Sequence, residues 1–136
     1  MERKDLSRKA YWTGTVMRWL VVAFMLFDGI IKFLKPEPVI RTTINELGYR
    51  ESHIAVHGIT ALVSTLLFAL PRTRILGAIL LTAHLGGAIA SQLRVDHPLF
   101  SHTLFPVYVG LIMWGSIWIL DKKCRDLLPV VNKRAQ

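Results

Sequence analysis

Cysteine is almost absent. Cys124 is the only one in 136 residues, so the chain has no internal disulfide and no CxxC pair. That excludes a dithiol relay of the disulfide-generating kind, a chemistry also carried by four-helix membrane scaffolds. Cys124 itself, in a polar tail, reads as a free cytosolic thiol. Acidic residues are scarce too, nine against seventeen Lys and Arg, which leaves a net charge of +8. Nucleic acid does not follow from this excess. The basic residues flank apolar segments and form no stripe interleaved with aromatics. No small-x-small cleavage site follows the basic start at Arg3, Lys4, Arg8 and Lys9, so the first apolar stretch reads as a retained span and not a removable signal peptide. There is no internal repeat, low-complexity run or second domain, and the length suits one domain.

What remains is hydrocarbon in long runs. Four candidate spans stand out, at Trp12–Leu34, Ile54–Leu70, Ile75–Leu93 and Leu104–Leu120. The last three lack Asp, Glu, Lys and Arg throughout, and each is near the lower length limit for crossing a hydrocarbon core of about 30 Å. Backbone groups must be satisfied within the segment in lipid, so the spans should be helices. The predicted fold is an all-α membrane protein, a single bundle of four transmembrane helices. Within the loop 35–53, Ile40, Ile44 and Leu47 recur at helical spacing before Gly48. This predicts a short amphipathic helix over 39–47, lying on the outer face. "PRTR" at 71–74 is a tight turn that makes the second and third spans antiparallel neighbours.

Charge sets the orientation. With both termini inside, that side holds Arg3, Lys4, Arg8, Lys9, Arg72, Arg74, Lys122, Lys123, Arg125, Lys133 and Arg134. The other side holds Lys32, Lys35, Arg41, Arg50 and Arg94. The bias favours an N-in, C-in topology. Arg18, near the inner end of the first span, is expected to snorkel to the cytosol. Trp12, Trp19 and Trp118 then mark the inner interface, and Phe33, Phe100, Phe105 and Tyr108 the outer one.

The stretch "LFDGIIKFLKPEP" at 26–38 puts Asp28 and Lys32 inside the first span. One turn apart, they can pair, which lowers the cost of each. Charge at membrane depth costs roughly 2.5–3.5 kcal/mol even on lenient insertion scales and is functional by default. Small and polar residues line one side of the next two helices: His57, Thr60, Ala61 and Ser64 on the second, Gly77, His84, Ala88 and Ser91 on the third. Those sides should face protein, and "GG" at 86–87 should admit a neighbouring backbone. Helix packing alone accounts for such stripes. Near the outer level, however, Asp28, His57, Gln92, Arg94, Asp96, His97 and His102 come from four segments to one height. Arg94 and His57 are the partners expected for Asp28 if Lys32 turns outward. Structural clamp and ligand site both remain open at this point. The candidate ligand-binding residues are Asp28, Lys32, His57, His84, Gln92, Arg94 and His102.

Several stretches carry a resemblance: "YWTG" (11–14), "LFDGIIK" (26–32), "LGY" (47–49), "PRTRILGAILLTAHLGGAIASQLRV" (71–95), "PLFSHTLFPVYVG" (98–110) and "MWG" (113–115). In order and across nearly the whole chain, they resemble the DoxX-like family of small bacterial four-span membrane proteins. The resemblance implies the fold, a multi-pass location in the bacterial cytoplasmic (inner) membrane and a loose association with redox work. The family is named for a relative of a thiosulfate:quinone oxidoreductase subunit, and another branch is linked to membrane oxidative-stress complexes. It implies no catalytic residues.

The chemistry this set of groups admits is narrow. A haem held by His57 and His84 is disfavoured, because counting 1.5 Å per residue puts them about 5 Å and 13 Å deep. Asp96, His97 and His102 have no spacing that specifies zinc, so no metal is assigned. A quinone needs an apolar slot with polar groups at the headgroup end, which His57, Asp28 and Arg94 beside the fourth span would supply. The expectation is a subunit or accessory of a membrane redox system, partnered by the lipid bilayer and by a larger redox enzyme or further copies of itself. The alternatives are a small proton-coupled transporter using Asp28, or a structural membrane subunit without chemistry of its own.

Overall fold

The computed structural model describes residues 6–128. Arg3, Lys4, Lys133 and Arg134, which contribute to the charge bias, lie outside the described residues. Four helices are long and apolar enough to cross a membrane, and among the described residues there is no strand. The chain is a multi-pass membrane protein built as a four-helix bundle.

Helix α1 runs Arg8–Leu34 and starts where Ser7 accepts a hydrogen bond from the Ala10 N–H at 3.2 Å. Ser at this position satisfies one of the otherwise unpaired first-turn donors. That cap extends the helix a full turn before Trp12. A short α2, Glu37–Ile40, passes directly into a wide-wound π1, Arg41–Glu46. The surface helix expected at 39–47 is therefore mostly π-helical and begins earlier, at the Pro36–Pro38 segment, where proline suits a first turn. Helix α3 runs Glu51–Ala69 and α4 runs Arg74–Arg94. A second π turn, π2 (Leu99–Thr103), leads into α5, Phe105–Leu120, and a short α6, Lys122–Leu127, closes the described chain.

The helices form a ring in which α3 packs on α1 and α4, and α5 packs on α1 and α4. Each contributes one stripe. On α1 the buried stripe is Gly14, Val21, Val22, Met25 and Gly29, while Val16, Leu20, Phe27 and Ile30 are exposed on the lipid side. The centre is filled by Met25, Phe68, Leu81, Met113 and Ile117, all essentially without exposure. In lipid this packing acts through dispersion and close fit, since expulsion of water no longer discriminates protein from solvent. The buried hydroxyls of Thr65 and Ser116 donate to carbonyls of their own helices, at Ala61 and Met113, both at 2.6 Å. They need no ligand.

Close approach occurs at two places. At Gly58 of α3, an added Cβ would lie 3.2 Å from the Gly29 carbonyl of α1. At Gly77 of α4 it would collide with the Phe68 backbone, because the 70–73 turn folds α4 straight back on α3. The pair Gly86–Gly87, expected to admit a neighbouring backbone, has nothing within 4 Å of either added Cβ. Both glycines are exposed: Gly86, nine residues on from Gly77, lies on the opposite face of α4, Gly87 borders open space, and α5 meets α4 through side chains instead. One such contact is the Trp114 indole N–H donating to Thr82 Oγ1 at 2.9 Å. Arg18 lies on the inward side of α1, half-buried and with its Nε enclosed.

Candidate functional site

Above the packed centre the helices spread and leave a cavity of about 400 Å³. Its floor and one wall are apolar, from Phe24 and Met25 of α1, Leu85 of α4 and Phe105 and Val109 of α5. The rest is polar. Asp28 and Lys32 enter from α1, His57 from α3, His84, Ser91 and Gln92 from α4, and His102 from π2. Thr42, Thr43, Leu47 and Tyr49 close it from the loop end of the bundle. The convergence follows from helical period. Asp28 and Lys32 continue the inward stripe through Val21 and Met25, and His84, Ser91 and Gln92 continue the one through Leu81.

Lys32 donates to Asp28 Oδ2 at 2.5 Å and to the Asp28 carbonyl at 3.2 Å. The carboxylate is thus neutralised within its own helix. The His57 and His84 rings stand edge to face, with centroids 6.4 Å apart. The depth count placed them farther apart because it began the second span at Ile54. Helix α3 starts at Glu51, which sinks His57 by most of another turn. Thr60 connects the two helices: its hydroxyl donates to the His57 carbonyl at 3.0 Å and lies 3.2 Å from His84 Nδ1. A hydroxyl has one proton, so the Thr60–His84 bond requires that Nδ1 donate. Nε2 of His84 is then the acceptor nitrogen.

Tyr49 is a cavity residue that the stripes did not reveal. Its ring stands against His57 at 4.8 Å, and its hydroxyl shares a 2.5 Å hydrogen bond with Ser91. It lies in a loop, where no helical period could place it. The sequence signals are its place in the "LGY" stretch of the family resemblance and its position after Gly48, whose φ of +73° turns the chain back over the bundle.

Arg94 does not line the cavity and does not approach Asp28. It donates to the Leu47 carbonyl and holds the loop down over α4. His97 and Asp96 are likewise outside the lining. His97 is bonded to Gln92 and lies 3.8 Å from Glu46, which itself pairs with Arg41 at 3.5 Å. The π1 segment is therefore pinned to the end of α4 by Arg94–Leu47, Tyr49–Ser91 and His97–Glu46, forming a roof. Lys35–Glu51, at 3.0 Å, joins the two ends of the loop. Among the described residues, no group of three or more His, Cys, Asp or Glu is arranged to hold a metal ion. The arrangement offers a donor at Lys32, an acceptor at His84 and a carboxylate beside them, at the polar end of an apolar slot; the Ser91 hydroxyl donates to the Gly87 carbonyl at 2.9 Å, so Tyr49 gives its one proton to Ser91.

Comparison with curated proteins and with solved structures finds no match. The sequence pattern of the DoxX-like family matches residues 16–116, two of the four long helices in full and most of the other two. That stretch contains every residue of the cavity wall, and on it the chain belongs to the DoxX-like family.

Proposed function

We propose that this protein is a ligand-binding subunit or accessory of a membrane redox system, and that its roofed cavity takes a quinone headgroup. The observation that carries the reading is the division of the cavity into an apolar slot and a polar end. Its volume of about 400 Å³ lies within the range of small-molecule sites. Phe24, Phe105 and Val109 offer flat apolar contact to a ring. Lys32 is a donor of the kind a quinone carbonyl accepts, and His84 Nε2 is an acceptor for the hydroxyl of the reduced form. The family's association with redox work supports the same choice. On the orientation implied by the charge bias, the roof faces outward from a bacterial cytoplasmic membrane.

The transport reading has less support. Asp28 is held by Lys32 and lies about 9 Å from the end of α1, at 1.5 Å per residue, where an alternating-access carboxylate belongs nearer the midplane.

The test is photocrosslinking. A photoreactive quinone should label peptides containing His57, His84 or Tyr49, and excess unmodified quinone should compete. Labelling spread over the lipid-facing surface of α1 and α5, without competition, removes the quinone reading and leaves the structural subunit. Absorbance of the purified protein in the Soret region would replace quinone by haem.

A further inference from the structure

The seams between the helices around the cavity are not alike. Between α1 and α3, a Cβ added to Gly58 would lie 2.8 Å from the Phe33 ring and 3.2 Å from the Gly29 carbonyl. Between α1 and α5, the Phe24 and Phe105 rings meet edge to face with centroids 5.4 Å apart. Between α4 and α5, Leu85 comes within 3.9 Å of a Cβ added to Gly110, and Trp114 is bonded to Thr82 further in. These three seams are closed by contact.

The α3–α4 seam is held in a different way. His84, Gly87 and Ser91 follow one another at three and four residues, so they share one side of α4. Below, His84 Nδ1 lies 3.2 Å from the Thr60 hydroxyl of α3. Above, Ser91 is bonded to Tyr49 at 2.5 Å. Gly87, between them, is exposed, and no atom of α3 lies within 4 Å of its added Cβ. Gly87 nevertheless lines the cavity, as does exposed Ala83 four residues earlier. The cavity therefore opens sideways, through a window framed by Thr60–His84 and Tyr49–Ser91 with no side chain on its α4 edge.

Depth decides where the window leads. Helix α4 is about 30 Å long, the thickness of the hydrocarbon core, and carries no Asp, Glu, Lys or Arg between Arg74 and Arg94. Gly87 and Ala83 lie about 10 Å and 16 Å below its Arg94 end, at 1.5 Å per residue. The window thus faces acyl chains and not water, while Thr42, Thr43, Leu47 and Tyr49 cover the loop end of the cavity. We propose that the ligand of the roofed cavity carries a long hydrocarbon tail, which leaves through the α3–α4 window at Gly87 and lies in the bilayer along Ala83. The inference rests on the quinone reading above and narrows it to quinones with an isoprenoid tail. Such a tail is as well solvated by lipid as by protein, so only the headgroup needs a built site.

The experiment uses the full chain in lipid nanodiscs, with a tail-less photoreactive quinone as the labelling probe. Two competitors share one benzoquinone headgroup, the first bearing a methyl group and the second a long isoprenoid tail. Each is scored by the change in its half-displacing concentration between wild type and variant, so partition into the bilayer cancels. Gly87→Leu should weaken the tailed quinone by about tenfold or more, as a side chain forced into a filled space does, and the methyl quinone by less than about threefold. Gly86→Leu adds the same side chain on the opposite face of α4 and should change either competitor by less than about twofold. A second measurement needs no variant: a quinone with its photoreactive group on the tail should label residues 83–87 of the wild type. Equal weakening of both competitors by Gly87→Leu, no weakening of the tailed one, equal effects of the two glycine variants, or tail labelling confined to α1 and α5 each overturn the window and leave the quinone in the cavity. A wild type whose labelling neither competitor reduces removes the quinone reading, and the tail with it.

Discussion

Asp28 illustrates how one residue's cost is distributed. Its partner Lys32 is one turn along the same helix, so the pair forms whether or not the bundle is assembled. What the bundle adds is shelter from lipid. Asp28→Asn is expected to destabilise the protein by about 1–2 kcal/mol, because it leaves the Lys32 ammonium unpaired in a half-buried site still partly open to water. Pairing it with Lys32→Gln should recover most of that loss. Thermal unfolding in detergent distinguishes the outcomes: a double variant as unstable as the single one would mean that the ion pair is a clamp. Cys124 offers a second residue-scale check, with opposite electrostatics. Burial first, and then the Asp121 charge, push its thiol above the ordinary range. Thiolate is the reactive form, so alkylation near neutral pH should be slower than for a free thiol and should rise only at higher pH. Asp121→Asn should move that rise toward lower pH, read by iodoacetamide labelling followed by mass spectrometry.

Between elements, the glycines sort by what they meet. Gly77 faces backbone, which cannot rotate away, and Gly77→Ala should cost about 1–3 kcal/mol by forcing α4 off α3. Gly86→Ala meets open space and should be neutral or stabilising by up to about 1 kcal/mol. A comparison of the two melting temperatures tests this. Their neighbourhoods in sequence are alike, small residues among leucines, but nine residues at 100° each set them on opposite faces of α4. The roof is a similar case. Tyr49→Phe removes one of three contacts pinning π1 to α4, a loss of about 1 kcal/mol for a single hydrogen bond. Hydrogen exchange over residues 41–49 should accelerate while the long helices keep their protection. Unchanged exchange there would mean that Arg94 and His97 hold the roof by themselves.

For the molecule as a whole, much of the architecture was legible from composition. Hydrocarbon-length apolar runs must be helices, and inward stripes at helical period place Asp28, His57 and His84 on protein-facing sides before any coordinates exist. The sequence by itself therefore determined four membrane helices, their antiparallel order, and the polar side chains that the long helices give to the cavity wall. These follow from local rules, the period of a helix and the cost of unpaired backbone in lipid, which need no knowledge of neighbours. Tertiary structure alone decided the rest. Arg94 turned to the loop instead of Asp28, Tyr49 came in from a segment without period, and the two imidazoles met because α3 begins at Glu51. Each of these depends on where one helix crosses another and how far they spread, and distance across a bundle is not written in the spacing along any one of its helices.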